Sequence, residues 1–402
     1  MRVKLGPMII RRTEAPILVA VFLDLLGFGM IIADIQLRAE SMVPHGWPTG
    51  LIVGGLLAST FITQLLVSPR WGIYSDHRGR KQVVVLCTAI SALAMLTYGL
   101  AGNIWILLLS RILSGFGAAN IAVAQALISD MYEPEERTAA LGRIGAALSA
   151  GLVIGPPVGG FLAISGGNFL IGAVACGASL FGATWMLLAL PNKPPKEERH
   201  PGRAPVMDFR LLRDLPKLRP LVLIAVVAWL SLATLEGTFA RLISHLFKYD
   251  QRQFGVIFGY ESVLGIAVQG LFLAWIVQRI RATKLLRLAY LTQGVGLVLN
   301  PFAGLLMPTV VPFAVLIGAS TLYAVGSSVA NPTVNSLCSR LTPDTRQGEL
   351  FGLLQGARSV GFVIGPLLGG CLFDWRPAAP YLLAGAVCTA AALLVPNSES
   401  LT

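Results

Sequence analysis

Gly72-Ile73-Tyr74-Ser75-Asp76-His77-Arg78-Gly79-Arg80-Lys81 is a polar ten-residue segment lying between two long apolar runs. Written as G-x-x-x-D-x-x-G-R-K, it sets an acid between two glycines and closes on a basic cluster. Glycines let a chain reverse tightly, and the cations suit a surface of anionic headgroups. Such a turn belongs where a chain leaves a membrane and re-enters it. The flanking runs, roughly 50–70 and 82–101, are therefore read as membrane spans.

Working outward, the remaining runs fall at roughly 15–38, 104–129, 138–164, 168–190, 220–247, 253–278, 284–306, 309–339, 348–373 and 379–396. A span needs about 20 apolar residues, so twelve of them account for nearly all of the 402 residues, of which 55% are hydrophobic and 13% charged. A soluble chain of this length carries about twice that charge. The fold class is an all-α membrane protein. Met1 to Arg12 is basic, but the apolar run after it reaches Ile35 without a small-residue cleavage site, so the first span is expected to serve as the insertion signal.

Lysine and arginine fix the orientation. With the N-terminus inside, 24 of the 31 fall in cytoplasmic segments and only Arg38, Lys248, Arg252 and Arg376 outside, which puts both termini in the cytoplasm. The net charge of +11 thus follows topology, and nucleic acid is not an expected partner. Cys87, Cys176, Cys338, Cys371 and Cys388 sit in or at the ends of apolar runs without C-x-x-C spacing, as small packing residues do. No metal or other cofactor is expected, and no nucleophile motif marks an enzyme.

Between Pro191 and Pro220 lies a proline-rich polar stretch with eight basic residues. It divides the chain into an N-terminal half (1–190), a linker (191–219) and a C-terminal half (220–402), with six spans in each half. The halves repeat: Gly155-Pro156-Pro157-Val158-Gly159-Gly160 matches Gly365-Pro366-Leu367-Leu368-Gly369-Gly370 at an offset of 210, and Ala119-Asn120 matches Ala330-Asn331 at 211. Internal repeats of this kind build transporters whose site lies between the repeats near the midplane.

The Gly72–Lys81 segment resembles the signature loop between spans 2 and 3 of the major facilitator superfamily of secondary transporters. The departure is His77 where the family has Arg or Lys directly after the acid. The resemblance implies a conformational latch of Gly72, Asp76, Arg80 and Lys81, with Arg80 reaching Asp130 and Asp76 facing the N-terminus of span 11. The glycine-proline pattern Gly151, Gly155, Pro156, Gly159 and Gly160 resembles the one that marks antiporters of the superfamily, where it packs span 5 against span 8. Its repeat on span 11 makes plain close packing an alternative. Phe22-Leu23-Asp24-Leu25-Leu26-Gly27-Phe28-Gly29 resembles the start of tetracycline exporters, while Asp34-Ile35-Gln36 is similar to spinster-type lipid transporters.

Charges inside spans are costly and need a partner or a cavity. At about 1.5 Å per residue, Asp24 lies about 16 Å below the outer boundary of a ~30 Å core and Arg111 about 10 Å below it. Asp24 is the first choice for a proton-carrying site. Arg111 resembles the arginine of drug:proton antiporters that is implicated in proton coupling. Asp34 has an i,i+4 alternative with Arg38. Adding Glu236 and Glu261, four intramembrane acids face Arg111, Arg241 and Arg358, which leaves one carboxylate over.

Phe28, Gln64, Asn120, Trp229, Tyr260, Tyr323, Asn331 and Arg358 are the candidate cavity residues. They suit a lipophilic or amphiphilic solute. The expectation is a monomeric multidrug exporter of the bacterial inner membrane, a proton-coupled antiporter working by alternating access on the proton gradient. A lipid or lysolipid carrier, or a non-transporting assembly factor or receptor of the same fold, is the alternative.

Overall fold

A computed structural model describes residues 13–191, 210–306, 312–343 and 346–396. The described residues are helical almost throughout: α1 Ala15–Met42, α2 Thr49–Arg78, α3 Arg80–Leu100, α4 Ile104–Gly117, α5 Asn120–Met131, α6 Pro134–Ala189, α7 Arg210–Asp214, α8 Leu218–Phe247, α9 Gln251–Ala267, α10 Leu273–Arg279, α11 Ala282–Leu306, α12 Pro312–Arg340, α13 Gln347–Trp375 and α14 Ala379–Leu394. Nine helical stretches among the described residues are long and apolar enough to cross a membrane. The protein is a membrane-spanning helical bundle. Most of the expected linker, residues 192–209, lies outside the described residues.

The expected ten-residue turn at Gly72–Lys81 is much tighter. Helix α2 runs on through Gly72 to Arg78, and Gly79 alone breaks the chain, at φ 99°, before α3 begins. That φ belongs to glycine. Nothing lies near the position a Cβ of Gly72 would take, so Gly72 is not required by packing. The polar residues between them stay helical because one left-handed residue is enough to reverse the direction.

Three further irregularities matter. Helix α6 runs 56 residues and loses helical geometry at Gly166 and Gly167, which ends one segment and begins the next where the sequence puts a gap between two spans. Between α4 and α5 the carbonyl of Ala118 accepts from Gln64 Nε2 at 3.1 Å, so a side chain supports the break. A π-helical turn, Val268–Phe272, joins α9 to α10.

The described chain forms two compact units. The first takes in the described residues of Met1–Met30, Thr63–Gly155 and Gly166–Pro201. Gly151 and Gly155 of α6 press on α1, where an added Cβ would fall 2.4 Å from the Phe22 carbonyl oxygen or 2.6 Å from Gly29 Cα. Small residues let helices approach this closely in a membrane. At one end the buried Glu14 receives Arg143 through two hydrogen bonds of 2.7 and 2.9 Å and the Tyr132 hydroxyl. There, too, Arg80 binds Asp76 at 2.5 Å and Asp130 at 3.3 Å, and Lys81 donates to the Leu190 carbonyl. Lys81 thus closes the C-terminus of α6.

The second unit takes in the described residues of Ile31–Ile62, Pro156–Ser165 and Gly202–Thr402. The repeat read from sequence recurs in its packing. Gly361 and Gly365 of α13 press on Trp229 and Ala233 of α8, as Gly151 and Gly155 press on α1. Arg287 donates to the Val395 carbonyl at 2.7 Å, as Lys81 does to Leu190. Gly160 meets Gln251 of α9, and Gly370 meets Gly50 of α2. The contact expected between spans 5 and 8 therefore rests on Pro156, Pro157 and Gly160, while Gly151 and Gly155 serve α1. Gly159 is buried in the same stretch.

Candidate functional site

In the first unit the site is built around Asp24. Its carboxylate is 8% exposed, mid-way along α1, and is held by two neutral donors. Ser179 Oγ of α6 donates to Oδ1 at 2.6 Å, and Asn120 Nδ2 of α5 donates to Oδ2. Asn120 also reaches Thr88 Oγ1 of α3 at 3.3 Å. Asn120 is the first residue of α5, directly after the α4–α5 break, and is buried. Asn120 Oδ1 is buried with no partner. Asp24 has no cation within 4 Å among the described residues. The cage can serve both protonation states, since a hydroxyl rotates between donor and acceptor and an amide presents either face.

Arg111, 1% exposed on α4, lays its guanidinium 4.9 Å from the Tyr98 ring centroid and bonds Ser110 Oγ at 3.2 Å. A cation over an aromatic face is stabilised by the ring quadrupole. Phe28 stands one helical turn beyond Asp24 on α1, part-buried. Asn120, expected to line a substrate cavity, is a direct partner of Asp24.

The second unit holds the other charges. Asp34 of α1 accepts from Gln251 Nε2 at 3.2 Å. Gln36 spans the α8 backbone: its Nε2 donates to the Glu236 carbonyl at 2.6 Å and its Oε1 accepts from the Ala240 N–H at 3.2 Å. Those two groups would pair with each other in a regular helix. Gln36→Leu is expected to cost no more than about 1 kcal/mol, because they can then do so. Gln36→Glu loses the donor and adds a buried charge, so a cost of about 3 kcal/mol is expected. Thermal unfolding of the two variants in detergent checks the contrast.

Arg241 lies 3.2 Å from Glu40 and 3.5 Å from Asp374, with its guanidinium 4.3 Å from the Phe373 ring centroid; His245 reaches the same Glu40 at 2.8 Å. Asp374 further accepts from the Gly50 N–H through both oxygens, each at 2.7 Å. Arg241 is thus neutralised by two acids at helix ends that the count of intramembrane charges left out. With Glu40 and Asp374 counted, six acids stand against Arg111, Arg241 and Arg358, so the carboxylate surplus read from sequence widens.

Glu236 and Glu261 are both buried. Glu261 lies beside Ser320 and within electrostatic reach of Glu236, and one of its oxygens has no hydrogen-bond partner among the described residues. The Tyr323 hydroxyl, near both acids, is buried and likewise unbonded. Arg358 faces Glu236 across a gap too wide for an ion pair. Tyr260 sits on an exposed face and bonds Thr321 Oγ1 at 2.8 Å. Asn331 is half-buried beside Pro332 within α12. Among the described residues no group of three or more His, Cys, Asp or Glu could hold a metal ion.

The arrangement thus offers buried carboxylates in both units, set among neutral donors and aromatic rings. Comparison with known proteins decides what kind of machine this is. The family model described as Major Facilitator Superfamily matches residues 17–318 and 294–400. The chain belongs to this superfamily. Multidrug resistance protein 2 of Bacillus subtilis (strain 168) is 29% identical over 377 residues, spanning 91% of this chain and 90% of that one. The class D tetracycline resistance protein of Salmonella ordonez is 28% identical over 360 residues, spanning 89% and 88%. Among solved structures, the nucleoside transporter NupG superposes with a TM-score of 0.74 over 95% of this chain and 98% of that one, at 13% identity, a likeness of fold. This major facilitator is a secondary transporter of small molecules, not an enzyme.

Ser179 and Thr88, which complete the Asp24 cage, and Glu40 and Asp374, which hold Arg241, were not singled out from sequence. A lone serine in an apolar span carries no periodic signal. Only its being one of the few hydroxyls in the 168–190 run pointed to it.

Proposed function

We propose that this major facilitator is a proton-coupled antiporter that exports a lipophilic or amphiphilic compound from the cytoplasm, with Asp24 as the proton carrier. The observation that carries the reading is the cage itself: a buried carboxylate held by Asn120 and Ser179 without a cation within 4 Å among the described residues. A structural carboxylate at this depth calls for a fixed counter-charge. One surrounded by reversible donors can take up a proton and give it back. Arg111 on Tyr98 tunes the site, with Asp34, Glu236 and Glu261 as further coupling groups. The names of the multidrug and tetracycline resistance relatives support export of drug-like solutes.

In this reading the chain crosses the membrane twelve times, as two six-helix halves joined by the 191–219 linker. Helix α6 counts as two crossings divided at Gly166–Gly167, and α4 with α5, like α9 with α10, as one. Both termini lie in the cytoplasm of a bacterial inner membrane, and the transporter acts as a monomer. Asp76, Arg80 and Asp130 form the cytoplasmic latch, while Pro156, Gly159 and Gly160 form the antiporter seam and Gly151 and Gly155 hold α6 against α1. Trp229, Tyr323, Asn331 and Arg358 are the proposed solute-facing residues of the second unit, and Phe28 and Gln64 those of the first.

The test is proton release from purified protein in weakly buffered detergent on adding a lipophilic cation, a neutral drug or a lysolipid. Release of about one proton per bound cation or drug is expected. Tight lysolipid binding without release would replace the reading with lipid carriage.

A further inference from the structure

Arg358 is the one membrane-embedded cation of the second unit, among the described residues, with neither an ion pair nor a hydrogen bond. Its guanidinium lies 5.1 Å from the Trp229 ring centroid and 5.5 Å from that of Phe362. Phe362 lies in turn 4.6 Å from Phe61, centroid to centroid, and 6.0 Å from Trp229. The glycine seam fixes this shelf. Gly361 brings the α13 backbone against Trp229, where an added Cβ would fall 2.7 Å from the Trp229 carbonyl carbon and Cβ, and Arg358 one turn earlier lies over the ring. The seam thus holds the rings in place, and Arg358 is part-buried among them. Five N–H donors of fixed geometry wait on an aromatic floor for an acceptor.

We propose that Arg358 is the anion subsite of the transported solute, binding the carboxylate of a flat aromatic acid whose ring lies on Trp229, Phe362 and Phe61. This rests on the reading of Arg358 and Trp229 as cavity residues. The guanidinium fork matches a carboxylate through two parallel hydrogen bonds, and the ring shelf holds the planar remainder. A monoanion fits better than a phosphate dianion. Among the described residues one cation, Arg358, serves the site, and Glu236 faces it, with Glu261 and Tyr323 close behind. Glu236 is the resident counter-charge, and it weakens the hold on a second anion.

The experiment is calorimetric titration of the purified full-length chain in detergent with 1-naphthoate, with 1-naphthylmethanol as its uncharged counterpart and with decanoate as an acid lacking the ring. Wild type should prefer naphthoate to naphthylmethanol by about tenfold or more. In Arg358→Gln that ratio should fall to near one, and Arg358→Lys should keep part of it. Glu236→Gln should raise naphthoate affinity several-fold, and Trp229→Leu should weaken naphthoate more than decanoate. Equal binding of naphthoate and naphthylmethanol by wild type, or an unchanged ratio in Arg358→Gln, overturns the proposal. Equal binding of naphthoate and decanoate overturns its aromatic part. Should Arg358→Gln fail to fold, the wild-type ratio and Glu236→Gln decide the matter. Proton release through Asp24 is read separately, so naphthoate recognition without it keeps this subsite and removes the antiport reading, and the converse result does the opposite.

Discussion

Asp24→Asn is expected to leave the transporter folded and able to bind its solute while proton release on binding falls to less than about a tenth of the wild-type signal. The substitution keeps the side-chain shape and removes only the ability to titrate. The cage can absorb it. The new carbonyl oxygen takes one of the two donors, and the new amide hydrogens need an acceptor. Ser179 can rotate its hydroxyl to provide one, and Asn120 can turn its amide so that Oδ1, now buried without a partner, faces the site. The hydrogen-bond count survives, and stability should change by no more than about 1 kcal/mol. Proton release measured with a pH indicator, beside solute affinity and the unfolding midpoint, checks the prediction. A variant that releases protons as the wild type does would remove Asp24 from the mechanism.

The second large effect concerns α2 and α13. A Cβ on Gly370 would fall 1.9 Å from the Gly50 carbonyl oxygen, and one on Gly50 would fall 2.0 Å from that of Gly370. The obstacle is backbone on both sides, so no rotamer change can relieve it. Gly370→Ala must therefore part the helices and draw Asp374 away from the Gly50 N–H it now holds at 2.7 Å. Overpacking costs about 1–3 kcal/mol, and loss of a charge-assisted hydrogen bond adds about 1.5 kcal/mol or more. A clear fall in the unfolding midpoint in detergent is expected for Gly370→Ala and, separately, for Gly50→Ala. A Gly370→Ala protein as heat-stable as the wild type would show that this contact is not close in solution.

Much of the architecture was legible because it is written in composition and period. Apolar runs and the 210-residue offset between the two glycine-proline segments each reflect constraints that act along the chain. The reach from Arg80 to Asp130 was readable for a similar reason, since two spans of known length return the chain to the same membrane face. What stayed hidden depends on rotation and on distant partners. No sequence period says that Ser179 turns toward Asp24, 155 residues away, or that Gln36 meets α8 at Glu236. The charge count missed the partners of Arg241 because Glu40 and Asp374 stand at helix ends, just outside the apolar runs. Gly151 and Gly160 share one motif yet serve α1 and α9, since helix α6 changes neighbours along its length.

The polarity of the Asp24 cage also bears on which ion can do work there. A hard metal cation such as sodium asks for a shell of several oxygen lone pairs. Around Asp24 the neighbours that touch the carboxylate among the described residues are Asn120 and Ser179 alone, so even with both turned to present oxygen too few ligands are within reach for such a shell. A proton asks for one lone pair and no shell. Selectivity for proton over sodium is then a property of the two neighbours rather than of the acid, and exchanging sodium for potassium or choline in the medium should leave the energetics of transport unaltered.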